Sequence, residues 1–198
     1  LTSVIVTVGT RPDVIVELPS FDVAASGIVE YQNMRVDNPF KDDTWLRAIS
    51  IKPGDRSVLH HVVSNHMADP TRPRSKIPGG SVGSYTPGAE AQVIAKDAGA
   101  PVPGGGKLHF QMHYTTTGKA STDATQIGFY TLKTPPKFIK RSTVIGDFAL
   151  KIPAGAARHE EVSYQVFPAD AYIYTLYPHA HYRGYSVELK AVTPDGKE

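Results

Sequence analysis

Apolar and polar positions alternate with a period of two along several short stretches of the chain. The clearest is Leu108-His109-Phe110-Gln111-Met112-His113-Tyr114. Successive side chains on a strand point to opposite faces of the sheet. Leu108, Phe110, Met112 and Tyr114 therefore read as a core face, and His109, Gln111 and His113 as a polar one. Tyr185-Ser186-Val187-Glu188-Leu189-Lys190-Ala191 alternates in the same way, and residues 4–8 and 13–17 also read as strands. Only residues 89–98, around Glu90-Ala91-Gln92-Val93, have a mildly helical composition, closed by Gly and Pro on both sides. Glycine (17) and proline (16) are spread between the apolar runs, the pattern of many short strands separated by turns. The pattern predicts an all-β fold.

Thr134-Pro135-Pro136-Lys137 is the best candidate for a domain boundary, because prolines break strand pairing and the sequence turns basic and polar there. A first unit of residues 1–134 and a second of 135–198 follow; the second holds four or five candidate strands, few for an independent sandwich. Thr193-Pro194-Asp195-Gly196 is a strong turn signal after an alternating stretch. A turn there is expected to deliver a further strand, so the expectation is that the polypeptide continues or that another chain supplies the missing strands.

The 198 residues suffice to bury a core without cross-links. Hydrophobic residues make up 40% and charged residues 20% of the chain, ordinary for a globular protein. The net charge is +2 with scattered basic residues, which gives no case for a nucleic-acid surface. The one local cluster, Lys137, Lys140 and Arg141, reads as a solvated linker. The absence of cysteine excludes a disulfide framework, cysteine-based zinc sites, blue copper and c-type haem attachment. No apolar run approaches the roughly 18 residues that span a membrane, and Leu1-Thr2-Ser3 opens no signal peptide. A chain that begins at Leu1 reads as processed or cut from something longer; export fits this, and an extracytoplasmic location, periplasmic or secreted, is expected. Gly104-Gly105-Gly106-Lys107 lacks the phosphate-loop spacing and precedes a strand, so it reads as a turn. No G-x-S-x-G nucleophile elbow is present. Met34, Met67 and Met112 read as core or gap-filling residues.

The candidate chemistry lies in the eight histidines. His179 and His181, in Pro178-His179-Ala180-His181-Tyr182-Arg183-Gly184, share a face on a strand and sit roughly 7 Å apart along it. Two imidazoles at that spacing can converge on one ion, and imidazole suits copper, zinc, iron and nickel; two surface histidines are the alternative. His60 and His61, in Val58-Leu59-His60-His61-Val62-Val63, would point to opposite faces of a regular strand, one buried and one exposed. Both reach one metal only where the backbone twists or bulges. His113 lies on the polar face with Gln111. His159 reads as surface; His66 and His109 are secondary candidates for supporting a site.

In this order, His-His before hydrophobic residues (60–63), Gln-x-His-Tyr (111–114) and His-x-His (179–181) resemble the copper type II, ascorbate-dependent monooxygenases. That family includes peptidylglycine α-hydroxylating and dopamine β-monooxygenase and many bacterial relatives. The bacterial branch is the most similar, in Glu30-Tyr31-Gln32-Asn33, Trp45-Leu46-Arg47-Ala48, Lys52-Pro53-Gly54-Asp55-Arg56 and the segments around His113 and His181. The resemblance spans about residues 12–198. It implies two jelly-roll-like antiparallel β-sandwich domains, each holding one copper, the second incomplete in this chain. It implies that His60, His61 and His113 bind an electron-transferring copper, which requires an irregular backbone at His60-His61. It implies that His179 and His181 bind a second copper, where O2 is activated and a C–H bond hydroxylated.

The implied partners are a small organic or peptide-like substrate, O2 and an external reductant such as ascorbate. Family members complete the second site with a later methionine, a sulfur donor that favours Cu(I); no methionine follows Met112 here, so autonomous catalysis by this chain is not expected. Gln111 is placed to orient a ligand or water. The other readings are a non-catalytic copper-binding or electron-transfer module of a larger assembly, and a β-sandwich interaction domain with incidental histidines. Zinc in place of copper fits an all-imidazole ligand set.

Overall fold

The computed structural model describes residues 9–89, 91–147, 149–178 and 183–198. The chain divides into two compact units, Leu1–Val144 and Ile145–Glu198. Among the described residues there is no helix, and so none long and apolar enough to cross a membrane.

The first unit is all-β. Its strands are β1 (Val14–Glu17), β2 (Phe21–Val23), β3 (Gln32–Asp37), β4 (Thr44–Lys52), β5 (Leu59–Met67), β6 (Ser84–Tyr85), β7 (Ala91–Val93), β8 (Ala98–Val102), β9 (Lys107–Tyr114), β10 (Ser121–Asp123), β11 (Gln126–Thr131) and β12 (Phe138–Ile139). One sheet has the order β1-β11-β4-β8-β12, with β7 also paired to β4. A second has the order β3-β9-β5-β6, and β10 pairs with β2 as a separate ribbon. The pairings are antiparallel except for β12 with β8.

The two larger sheets bury their inner faces in one hydrophobic cluster, as in a β-sandwich. β4 contributes Leu46, Ile49 and Ile51, β11 contributes Ile127 and Phe129, and β9 contributes Leu108, Phe110, Met112 and Tyr114. β4 is buried on both faces from Ala48 to Ile51 and has strand neighbours on both edges. β9 shows the predicted alternation without a break: Leu108, Phe110, Met112 and Tyr114 are buried, while His109, Gln111 and His113 are half-buried on the other face. Gly104-Gly105-Gly106 forms the predicted turn into β9. Gly106 has φ 73°, and a Cβ there would lie 2.2 Å from the Met67 carbonyl oxygen, so both dihedral and space require glycine.

Several expectations are corrected. The mildly helical stretch contains strand β7 and a turn, because Ala91, Gln92 and Val93 pair with Ser50, Ile49 and Ala48; sheet contacts override a weak local propensity. The first unit runs past the proline pair to Val144, since β12 follows Pro136 and pairs with Ala98 and Gly99 of β8. Met67 is exposed rather than core, whereas Met112 is buried and Met34 packs on the core. Residues 4–8 lie outside the described residues.

The described residues of the second unit form no strand and are exposed to solvent. The alternating stretch 185–191 is therefore not a strand here, and Tyr185 is 96% exposed. A period-two pattern becomes a strand only with partners for its backbone and cover for its apolar face. The turn at its end does form: Gly196 donates its N–H to the Thr193 carbonyl at 2.8 Å, with Gly196 at φ 81°.

Candidate metal centre

The centre is built where β5 and β9 pair. Leu59 stands opposite Tyr114 and His61 opposite His113, so the register shifts between Leu59 and His61 and His60 is the extra residue of a β-bulge. The burial pattern follows the bulge. Leu59 is buried, His60 and His61 both lie on the outer face, and Val62 is buried again. A regular strand would have turned one of the two imidazoles into the core. The bulge lets consecutive histidines face the same way, towards His113 on the polar face of β9.

The three rings meet. His60 Nδ1 is 3.1 Å from His61 Nδ1, and His113 Nδ1 is 3.3 Å from His61 Nδ1. Ring centroids are 4.7 Å apart for His61 and His113 and 5.0 Å for His60 and His113. One nitrogen from each ring lies within 4.8 Å of the other two, and these are the residues among those described that can jointly hold a metal ion. His60 is exposed, while His61 and His113 are half-buried. Burial, and secondarily the charge of His60, holds the His113 imidazolium below the usual histidine range. That favours the neutral ring, the form that donates a lone pair to a metal.

Protons alone serve this arrangement poorly. A neutral imidazole nitrogen is either a donor or an acceptor through one in-plane lone pair, yet His61 Nδ1 faces two other ring nitrogens. A single cation satisfies three converging lone pairs at once. The spacing agrees: nitrogens about 2.0–2.1 Å from a common ion at tetrahedral angles lie about 3.3 Å apart. The donor set is three imidazoles with no carboxylate or thiolate, which fits copper and also zinc.

Three features hold the rings in place. Tyr31, one residue before β3, packs its ring 4.7 Å from His113 and 5.9 Å from His61. Thr115 donates its backbone N–H to the Val58 carbonyl at 2.8 Å, closing the ladder beside the bulge. Behind them, the buried carboxylate of Asp123 accepts four hydrogen bonds: Gly54 N–H at 2.8 Å and Asp55 N–H at 3.0 Å on Oδ1, Tyr114 O–H at 2.9 Å and Thr125 O–H at 2.7 Å on Oδ2. Gly54 has to be glycine, since a Cβ would lie 2.3 Å from Ala124 N. Asp123 thus ties the residue after His113 to the loop that leads into His60.

The sequence marks Tyr31 only within the Glu30-Tyr31-Gln32-Asn33 likeness, with no role at the site, and no local motif marks Asp123. The remaining histidines are elsewhere. His109 shares the polar face and bonds Asn33 Oδ1 at 2.9 Å through Nε2. The bulge breaks the parity that would have put His66 with His60; His66 Nε2 contacts the Gly105 carbonyl at 3.0 Å. His159 Nε2 lies 2.9 Å from Glu161 Oε1 in the second unit. Gln111 is on the polar face two residues from His113, opposite Val63 and Asn33. His179 and His181 lie outside the described residues.

No protein-family model matches the chain, and no curated protein matches it.

Proposed function

We propose that this chain is the copper-binding part of a monooxygenase-like oxidoreductase, with His60, His61 and His113 holding an electron-transferring copper. The observation that carries the reading is the bulge at His60, which turns two consecutive imidazoles onto the face that presents His113. A copper ion bound by neutral imidazoles supplies reversible one-electron chemistry. The residues provide the rest. His61 and His113 are fixed by strand pairing and by the Tyr31 ring, so their nitrogens need little reorganisation. His60 lies at the exposed edge, where an external reductant such as ascorbate has access. Under this reading the resemblance implies that His179 and His181 would hold a second copper, which would supply O2-activating chemistry, within a second jelly-roll-like domain that is incomplete in this chain.

The narrower reading is a copper-binding electron-transfer module, which needs only the His60, His61 and His113 cluster. Copper titration followed by EPR tests the shared claim: the expected result is an imidazole-ligated Cu(II) signal, saturating in the wild type and lost in His113→Ala. A His113→Ala protein with an unchanged signal would remove the site. Ascorbate-dependent O2 consumption with a panel of C–H substrates then separates the readings. Turnover would eliminate the electron-transfer module.

A further inference from the structure

A cavity of about 170 Å³ lies between the turn around Gly79-Gly80 and residues 140–142, against Pro101 of β8. It is distinct from the histidine cluster and was not legible in the sequence, where Lys140 and Arg141 read as solvated linker. Drug-sized ligands occupy pockets of about 300–1,000 Å³, so this one is sized for a small ion or the head of a larger molecule. Its walls are set by regular structure. Lys140 continues the β12–β8 pairing by donating its N–H to the Gly99 carbonyl at 2.9 Å, and His66 of β5 donates its N–H to the Gly80 carbonyl at 2.9 Å.

The charge in this cavity has one sign. Lys140 and Arg141 line it, and none of the lining residues is acidic. Lys140 is half-buried, and burial pushes its ammonium below the usual lysine range. Its Nζ donates to Ser142 Oγ at 3.0 Å. A neutral hydroxyl offsets little of the cost of desolvating a cation, and an ammonium has three donors. The opposite wall is bare backbone at Gly79 and Gly80, and a Cβ on Gly80 would meet nothing within 4 Å. The Gly79–Gly80 wall thus carries no side chain that an incoming group would have to displace.

We propose that this cavity is a binding site for a small oxyanion, a phosphate or carboxylate group, held by the Lys140 ammonium and the Arg141 guanidinium. The ammonium supplies a partly desolvated point charge, and the guanidinium supplies paired donors matched to two oxygens of one anion.

The test is an NMR titration of the full chain with inorganic phosphate and, separately, acetate, at constant ionic strength. Saturable shifts confined to the amides of Gly79, Gly80, Arg141 and Ser142 are expected. Lys140→Gln should weaken binding at least tenfold, whereas Lys137→Gln, on an exposed lysine outside the cavity, should leave it unchanged. Gly80→Asp places a carboxylate in the open space and should abolish binding while Lys140 stays intact, which keeps the test valid if Lys140→Gln unfolds. Saturation by phosphate alone identifies a phosphate site, by acetate alone a carboxylate site, and by both a general oxyanion site. No localised shift with either anion, or Lys140→Gln and Gly80→Asp proteins that bind as the wild type does, would overturn the proposal.

Discussion

The Tyr31 ring lies 4.7 Å, centroid to centroid, from the His113 ring, tilted by 36°. The ladder between β3 and β9 explains the contact. Gln32 stands opposite Met112, so the residue before Gln32 falls beside His113 on the outer face. Aromatic contacts of this kind contribute about 0.5–1.5 kcal/mol beyond area burial. If Tyr31 holds the His113 ring in its converging orientation, Tyr31→Ala should weaken copper binding by roughly 2- to 12-fold, the same energy expressed as affinity. Tyr31→Phe keeps the ring and should bind as the wild type does. Competition against a chelator of known affinity measures both; equal affinities for wild type and Tyr31→Ala would show that the contact does not position the ligand.

The sequence made one half of this centre legible and left the other half hidden. The unbroken alternation of β9 put His113 on a polar face opposite Phe110, Met112 and Tyr114, and burial along the strand agrees at each position. The same parity rule fails at His60-His61, because one inserted residue reverses it and nothing local in Leu59-His60-His61-Val62 marks the insertion. Strand parity alone left a twist or bulge there as a condition for shared binding, and the family resemblance made it an expectation. Tyr31 and Asp123 depend on strand register and on loop approach, which are long-range properties. The alternation at 185–191 errs in the opposite direction, a strand pattern without a strand, since the period describes faces and says nothing about partners.

Metal binding should stabilise the first unit by mass action. An ion that binds only the folded chain adds about 2.7 kcal/mol at a free concentration one hundred times its Kd. For a unit of this size that corresponds to a rise of several degrees in Tm. Differential scanning calorimetry with and without Cu(II) should show the rise in the wild type and lose it in His61→Ala. A rise of the same size in His61→Ala would place the stabilising ion elsewhere.

Tyr114 O–H donates to the buried Asp123 carboxylate at 2.9 Å, and both residues are at most 2% exposed. Tyr114→Phe removes this donor while keeping the ring that stacks on Phe21 at 5.0 Å. Leaving a buried carboxylate short of a donor costs about 1–3 kcal/mol or more. Because the same carboxylate holds Gly54 and Asp55, the loop into β5 should loosen as well. Urea unfolding should show the loss of stability, and hydrogen exchange should accelerate at the Gly54 and Asp55 amides before the β4 core exchanges. Uniform acceleration across both sheets would mean that Asp123 has no particular hold on that loop.

Asp13 gives a pH signature of the sheet edge. Its carboxylate accepts the Thr131 N–H at 2.7 Å and the Thr131 hydroxyl at 3.1 Å. The backbone hydrogen bond is the main cause that holds its pKa below the ordinary 3.8. A depressed carboxylate pKa means that the unfolded chain binds the proton more readily. The stability Asp13 contributes is then fully present above about pH 5 and is lost as pH falls through 4 towards the folded value. The carboxylate is exposed, so solvent screening keeps the contribution to about 1 kcal/mol or less. Asp13→Asn retains an acceptor oxygen but not the charge. Its destabilisation relative to wild type should be largest near pH 7 and should shrink below pH 4, read from denaturant midpoints at each pH. A difference that stays constant from pH 7 to pH 3 would show that the charge on Asp13 does not strengthen its hold on Thr131.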